Sequence, residues 1–271
     1  MTKLRVAVIF SGQPRCIDGL AYDSFKKCIL DRYDVDVYAH FWEGVDSDKT
    51  TGNTADNIEL FKRLYSPKAI KVDPPLRADE YPIEFIQRTS KMTVNRHNVM
   101  SIPSSDPGTI MRNCISFYES MKRAYDVYRS CGDTHDWVIR ARSDCVLLRC
   151  PELDKLNPSY IYTPHWHGWE LAVLVNIAIL IPAPLAPSVF SIRDTVEHLP
   201  GVSDEWFIFN HLDQCGLTQS IRTLPKTMFY PTLTRNGIVT DHPEPHLVSE
   251  VVAPPYTMYT WSSNVWTQTS S

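Results

Sequence analysis

The order of strand-like and helix-like segments near the amino terminus most constrains the fold of this chain. A continuous run of apolar residues, Leu4–Phe10, predicts a strand that is covered on both faces. A helix is predicted from about Asp18 to Tyr33, with Asp18 as its cap, and a second strand over Val35–Phe41. The helix Ala55–Tyr65 and the strand Ala69–Val72 repeat the alternation. This order is typical of an α/β domain with a mainly parallel central sheet flanked by helices.

The remaining patterns predict one regular helix, a strand that ends in charged residues, and a loop-rich second half. Apolar residues at spacings of three and four predict the helix Thr109–Arg129. The other predicted elements are strands at Asp136–Asp144, Tyr160–Thr163 and Ala172–Ile181, a helix at Ser203–Cys215, and a long surface excursion over Asp73–Pro107. Most of the 20 prolines lie after residue 150. We expect the 271 residues to form a single domain with two working halves, residues 1–150 and 151–271.

The composition argues against several classes of protein. A formal net charge of −4 disfavours broad binding to nucleic-acid backbones. The longest apolar stretch, Leu171–Pro187, is interrupted by Asn176 and by prolines, so no membrane span is expected. The 7 cysteines form no C-x-x-C pair, which favours a reducing compartment over a disulfide framework. The short apolar run at the amino terminus does not resemble a signal peptide. We therefore expect a cytoplasmic protein.

Three charged residues, Arg140, Arg142 and Asp144, fall at alternate positions of one predicted strand and would share a face. One interpretation places them at the carboxyl end of the strand, where α/β sheets bind ligands. There a carboxylate can hold Mg²⁺ or Mn²⁺, and arginine can bind phosphate oxygens. The other interpretation is an internal Arg–Asp ion pair that has only a structural role. The residues alone do not decide between the two.

The turn Ser11–Arg15 follows the first predicted strand and would lie at the same edge of the sheet. Gly12 allows close approach of a ligand to the backbone, Ser11 and Gln13 offer hydrogen bonds, and Arg15 offers positive charge. The segment is neither a Walker A loop nor a G-x-G-x-x-G fingerprint. An ordinary strand-to-helix turn is the alternative.

Taken in order, the segments Ser11–Arg15, Tyr38–Trp42 and Trp137–Asp144 resemble a family of glycosyltransferase-like proteins from large DNA viruses, algae and bacteria. The resemblance covers roughly residues 4–150 and, more loosely, Ser203–Gly216. It implies a GT-A-like fold that binds a nucleotide-diphosphate sugar, with an acidic motif, often Asp-x-Asp, that holds a divalent metal. Arg142 stands at the first acidic position of that motif, so only Asp144 is carried over as a ligand for Mn²⁺ or Mg²⁺. The implied donor-binding residues are Ser11, Gly12, Gln13, Arg15, His40, Arg140, Arg142 and Asp144.

The second half offers candidate residues for the acceptor side. The resemblance implies a carboxylate there, and Asp204 or Glu205 is the candidate general base, needed only if the enzyme inverts the anomeric centre. Stabilising the helix amino terminus is the alternative role for these acids. His242 and His246 could add metal ligands from a proline-rich loop, although loop histidines more often have no such role.

These observations predict a glycosyltransferase, of the hexosyl or pentosyl type, that moves a sugar from a nucleotide-diphosphate donor to a glycan acceptor. A UDP-sugar is the favoured donor, and a host cytoplasm is the expected location if the protein is viral. One alternative is a nucleotidyltransferase, although the first loop is poor in the glycine and basic residues that such enzymes carry. The other is a glycan-binding module that has kept the fold without catalysis.

Overall fold

In the computed structural model, the residues described are 3–44, 54–86, 107–164, 177–199, 204–225, 228–235, 238–239, 258–262 and 265–269. Within them, no helix is long and apolar enough to cross a membrane. All seven cysteines lie inside the ranges and are free.

A seven-stranded sheet forms the centre of the molecule, in the order β3-β2-β1-β4-β7-β6-β8. Its strands are β1 (Arg5–Gly12), β2 (Asp34–Trp42), β3 (Ala69–Asp73), β4 (Trp137–Ala141), β6 (Ile161–Pro164), β7 (Ala178–Pro182) and β8 (Ile221–Leu224). Among the described strands of this sheet, β7 alone runs antiparallel to its neighbours. The predicted mainly parallel α/β sheet is therefore confirmed, and it is consistent with a GT-A-like fold.

Smaller strand groups, α-helices and short 3-10 segments make up the rest of the described structure, including a helical stretch at residues 83–86. Strand β5 (Cys145–Arg149) pairs with β9 (Tyr230–Arg235), which pairs with β10 (Ile238–Val239), while β11 (Met258–Ser262) pairs with β12 (Val265–Thr269). The helices are α1 (Leu20–Phe25), α2 (Thr54–Tyr65), α3 (Pro107–Ser130), α4 (Ala186–Phe190) and α5 (Asp204–Gln214), and a π-helical turn, Lys26–Leu30, extends α1. The first helix begins two residues later than predicted, because Gly19 has φ 54° and ends the extended chain there. Asp18 is not its cap.

Strand β1 shows why the central sheet is stable. Val6, Val8 and Phe10 face the core formed with α1 and α2, and Ala7 and Ile9 face the core formed with α3. All five side chains are fully buried. Because helices cover both faces of the sheet, both faces of β1 must be apolar, which explains the continuous apolar run and agrees with the prediction.

The predicted strand Asp136–Asp144 is wrong at its end. Strand β4 stops at Ala141, and β5 starts at Cys145 and leaves the central sheet to pair with β9. A turn separates the two strands, closed by a hydrogen bond from the Cys145 N–H to the Arg142 carbonyl at 3.2 Å. The Arg142 N–H in turn donates to the Ile177 carbonyl at 3.1 Å. Arg142 and Asp144 therefore lie in a turn at the carboxyl end of β4.

The border between β1 and β4 is the point at which the strand order reverses. From β1 the chain places β2 and β3 on one side, and later places β4 on the other side. Crevices at such switch points, beyond the carboxyl ends of the strands, are where open α/β sheets bind ligands. The turn after β1 and the turn after β4 meet at this position.

Candidate functional site

A cleft of about 480 Å³ opens at this switch point. It brings together residues that are far apart in sequence: the end of β1, the turn after β4, the end of β2, one face of α3, and the segment between β3 and α3. Its lining residues are Ser11, Gly12, Gln13, Arg15, Trp42, Pro75, Tyr81, Asn113, Ser116, Phe117, Arg142 and Asp144. Six of the eight predicted donor-binding residues are among them. The cleft is large enough for a small organic ligand.

Ser143 joins the two turns that carry the charged residues of the cleft. Its hydroxyl accepts the Arg15 N–H at 3.0 Å and lies within 3.0 Å of the Gln13 carbonyl and 3.1 Å of the Arg15 carbonyl, to one of which it donates. The Ser143 side chain is 2% exposed. Because this hydroxyl is buried and serves both turns, it fixes Arg15 relative to Arg142 and Asp144.

Arg142 and Asp144 form a bidentate ion pair inside the cleft. The Arg142 Nε–H donates to Asp144 Oδ1 and an Nη2–H donates to Oδ2, both at 2.8 Å. The Asp144 side chain is 2% exposed, whereas the Arg142 side chain is 27% exposed. Both interpretations of these residues thus hold in part: they are an ion pair, and the pair lines the cleft.

His40 is placed behind the cleft lining and acts on it through Ser120. His40 Nε2 lies 3.1 Å from the Asp73 carboxylate, which can only accept, so Nε2 carries the proton. Its Nδ1 then accepts from the Ser120 hydroxyl at 2.7 Å, and that hydroxyl accepts the Gly12 N–H at 2.7 Å. Burial lowers the pKa of His40 to about 4, against the opposing effect of Asp73. The neutral imidazole therefore positions the backbone of Gly12 and does not line the cleft itself.

Asp73 is the charged end of this hydrogen-bond chain. Burial raises its pKa, but hydrogen bonds from Lys71, Arg123 and His40 outweigh burial and hold the pKa at about 2. Lys71 Nζ lies 3.0 Å and Arg123 Nη1 lies 2.7 Å from Asp73 Oδ2. The carboxylate therefore stays ionised and keeps the His40 tautomer fixed at neutral pH.

Two residues of the cleft lining each have a buried polar side-chain atom that lacks a hydrogen-bond partner among the described residues. Ser11 Oγ and Trp42 Nε1 are buried and have no hydrogen-bond partner among the described residues. A buried polar group without a partner costs about 1–3 kcal/mol, so native proteins keep few of them. Their position at the ends of β1 and β2 favours a polar ligand as the purpose of this cleft.

Arg140 is fully buried in β4 and is not part of the cleft lining. Its guanidinium carbon lies 4.4 Å from the ring centroid of Phe117, which does line the cleft. The strand ends one residue after Arg140, and Arg142 and Asp144 lie in the turn that follows. Arg140 therefore supports the wall of the cleft through Phe117.

The acceptor-side residues are only partly located. Asp204 and Glu205 begin α5, close to the predicted start of that helix, but their side chains lie outside what the structure describes. His242 and His246 also fall outside the described residues. Their predicted roles stay predictions.

A divalent metal does not fit the described residues of the cleft as they stand. Magnesium is usually held by carboxylates together with substrate phosphates. Asp144 is the one acidic residue in the described lining, and both of its oxygens already accept hydrogen bonds from Arg142. No group of three His, Cys, Asp or Glu side chains that could hold a metal occurs in the described ranges. The Mn²⁺ or Mg²⁺ ion implied by the resemblance therefore has no preformed site among these residues.

Several lining residues could not be assigned to the site from the sequence. Asn113, Ser116 and Phe117 lie at spacings of three and one on α3, beside the buried stripe that defined the helix. Tyr81 comes from the long excursion after β3, and its hydroxyl lies 2.8 Å from Ser116 Oγ. The sequence signal that could have indicated Asn113 and Ser116 is the strip of polar residues that lies beside the buried apolar face of α3.

No family model and no curated protein sequence matches this chain. Among solved structures, the chain is similar to the crystal structure of a glycosyltransferase involved in the glycosylation of the major capsid of PBCV-1. The two chains share 10% sequence identity, with 82% of this chain and 83% of that chain covered and a TM-score of 0.34. A similarity at this level carries no functional argument, so the assignment of a function rests on the residues of the cleft.

Proposed function

We propose that this protein is a glycosyltransferase that moves a sugar from a nucleotide-diphosphate donor, with a UDP-sugar favoured, to a glycan acceptor. The observation that carries the proposal is the convergence of the Ser11–Arg15 turn and the Arg142–Asp144 turn in one cleft at the sheet's switch point. These are the segments whose motifs resemble the glycosyltransferase-like family. The unmade hydrogen bonds of Ser11 and Trp42 add support, because they favour a polar ligand there.

The charges of the cleft suit a diphosphate. The charged residues in the described lining are Arg15, Arg142 and Asp144, which leaves an excess of positive charge among them. Arginine binds phosphate oxygens through parallel N–H donors, and such charge-assisted bonds are roughly twice as strong as neutral ones. Because Ser143 ties the two turns together, both guanidiniums belong to one preorganised site.

The proposed reaction makes one bond and breaks one bond. A hydroxyl oxygen of the acceptor attacks the anomeric carbon, and the bond from that carbon to the donor's phosphate oxygen breaks. The electron pair of the broken bond leaves with the nucleoside diphosphate, whose growing negative charge Arg15 and Arg142 stabilise. If the configuration inverts, Asp204 or Glu205 takes the proton of the attacking hydroxyl, and if it is retained, the departing phosphate oxygen takes that proton. The cytoplasm, including that of a host cell, is the proposed location.

Turnover with a panel of donors tests the proposal. UDP-, GDP- and dTDP-sugars are each incubated with the protein, with and without Mn²⁺, and release of the nucleoside diphosphate is measured. We expect release from at least one donor, and a loss of about tenfold or more in the Arg15→Gln variant, equivalent to about 1.4 kcal/mol of binding. Arg63→Gln is the matched control, since Arg63 is an exposed residue of α2 and is not among the residues that line the cleft.

The proposal fails if no donor is bound or cleaved under either condition. A non-catalytic glycan-binding module is the second candidate, favoured by one observation: both oxygens of Asp144, the one acidic residue in the described lining, are already paired with Arg142. Such a module would bind glycans in the absence of any nucleotide and would release no nucleoside diphosphate.

A further inference from the structure

The turn between β4 and β5 holds Arg142 and Asp144 in a fixed relation. Hydrogen bonds from the Arg142 N–H to Ile177 and from the Cys145 N–H to the Arg142 carbonyl fix the backbone on both sides of the pair. Ser143, between the two residues, is tied to the Gln13–Arg15 turn. The ion pair is thus built into the backbone where the two turns meet.

The guanidinium of Arg142 occupies both oxygens of the only acidic side chain in the described cleft lining. A divalent ion on Asp144 would have to bind a carboxylate that is 2% exposed and already paired with a guanidinium, either on a remaining lone pair or in place of one of the two hydrogen bonds. In both cases the guanidinium would remain close to the ion, because residues 142 and 144 belong to the same short turn. Two cationic groups would then compete for one buried carboxylate, which is unfavourable.

Arg142 is also able to bind an anion while it stays paired with Asp144. Arg142 lines the cleft while its Nε–H and one Nη2–H are paired with Asp144. About a quarter of the Arg142 side chain is exposed, whereas Asp144 is almost completely buried. The cationic partner of the pair therefore faces the cleft, and the carboxylate orients it from behind.

We propose that the Arg142 guanidinium, oriented by Asp144, takes the place of a divalent metal as the cation that binds the donor's diphosphate, so that donor binding requires no metal ion. This inference rests on the proposed function, because it assigns the cationic group of the same donor site. In this arrangement Asp144 is a positioning residue for Arg142. It departs from the metal ligation that the resemblance implies for Asp144.

Calorimetric titration with UDP, GDP and dTDP, in excess EDTA and in excess MnCl₂, tests the inference. For the wild-type protein we expect at least one nucleotide to bind with the same affinity in both buffers, to within about twofold. Arg142→Gln should weaken binding by about tenfold or more in both buffers, because it removes a charge-assisted contact. Arg63→Gln should bind as the wild type does.

A second variant tests the metal directly. Arg142→Asp removes the guanidinium and places a second acid beside Asp144, so we expect Mn²⁺ to raise its melting temperature and its affinity for the nucleotide. Mn²⁺ should leave the melting temperature of the nucleotide-free wild type unchanged. If either variant fails to fold, the wild-type comparison of EDTA with MnCl₂ still decides the question.

The two proposals fail in different ways. Nucleotide binding by the wild type only in the presence of Mn²⁺ overturns the role of Arg142 while leaving the donor site in place. An equal effect of Mn²⁺ on wild type and Arg142→Asp overturns it as well. Binding of no nucleotide in either buffer overturns the proposed function, and this inference with it.

Discussion

The hydroxyl of Ser143 is the smallest group whose removal should loosen the donor site. It accepts the Arg15 N–H and donates to a carbonyl of the same turn, at distances of 3.0–3.1 Å. Ser143→Ala deletes both hydrogen bonds in a position that is 2% exposed. At about 0.5–1.5 kcal/mol for each bond, the free energy of unfolding should fall by about 1–3 kcal/mol.

The loss should be visible in both stability and binding. A change of 1 kcal/mol shifts the melting temperature of a domain of about 150–250 residues by about 2–4 °C, so a drop of roughly 4–8 °C corresponds to about 2 kcal/mol. Because Arg15 loses its fixed position relative to Arg142, nucleotide affinity should fall by about tenfold, or about 1.4 kcal/mol. Thermal unfolding and calorimetric titration measure the two effects.

Ser159→Ala is the matched control, since Ser159 is exposed and its hydroxyl makes no hydrogen bond within the described residues. Reduced stability with unchanged nucleotide affinity would show that Ser143 supports the fold without preparing the site. Wild-type values for both quantities would refute the reasoning that joins the two turns through this hydroxyl.

Three further predictions follow from the same geometry. Burial lowers the pKa of His40 from its ordinary 6.5 to about 4 in the folded protein. The free energy of unfolding should therefore fall by up to about 3 kcal/mol as the pH drops from 6.5 to 4. Urea unfolding should show a smaller loss for His40→Gln than for the wild type, and equal losses would contradict this prediction. Gly12→Ala should lower the free energy of unfolding by about 1–3 kcal/mol, because Gly12 has φ 111°, a conformation that residues with a side chain rarely adopt. The space around Gly12 is open, so the cost comes from the backbone and not from a steric clash. An unchanged urea midpoint would argue against this prediction. Arg142→Gln should lower the free energy of unfolding by up to about 3–5 kcal/mol, because it leaves the buried carboxylate of Asp144 uncompensated. Asp144→Asn should cost less. In chemical denaturation the double variant should be more stable than Arg142→Gln alone, and the reverse order would contradict this prediction.

The sequence was sufficient for the elements whose patterns are set by local periodicity. The apolar run of β1 and the three-and-four spacing of α3 predicted elements that the structure contains, because each has a face or faces that must be buried. The mainly parallel sheet followed from the alternation of these elements. The convergence of the Ser11–Arg15 turn and the Arg142–Asp144 turn at one sheet edge followed as well.

The remaining features depend on tertiary contacts that a single sequence does not reveal. The alternation of Arg140, Arg142 and Asp144 looks like one strand, but β5 pairs with β9 instead of continuing β4, and a turn results. His40 was expected at the donor, yet packing places it behind the cleft, where it holds Ser120. Trp42 lines the cleft because the end of β2 meets the end of β1 there, and the sequence alone did not show that these ends form one site.

The central claim is that a nucleotide diphosphate binds at the switch point between β1 and β4. The most direct measurement is a crystal structure of the protein with the tightest-binding nucleotide of the UDP, GDP and dTDP panel. We expect the diphosphate in the cleft, in contact with the guanidiniums of Arg15 and Arg142, with the Arg142–Asp144 pair intact. A diphosphate bound away from both arginines, or one held on Asp144 through a metal after Arg142 has moved away, would contradict it.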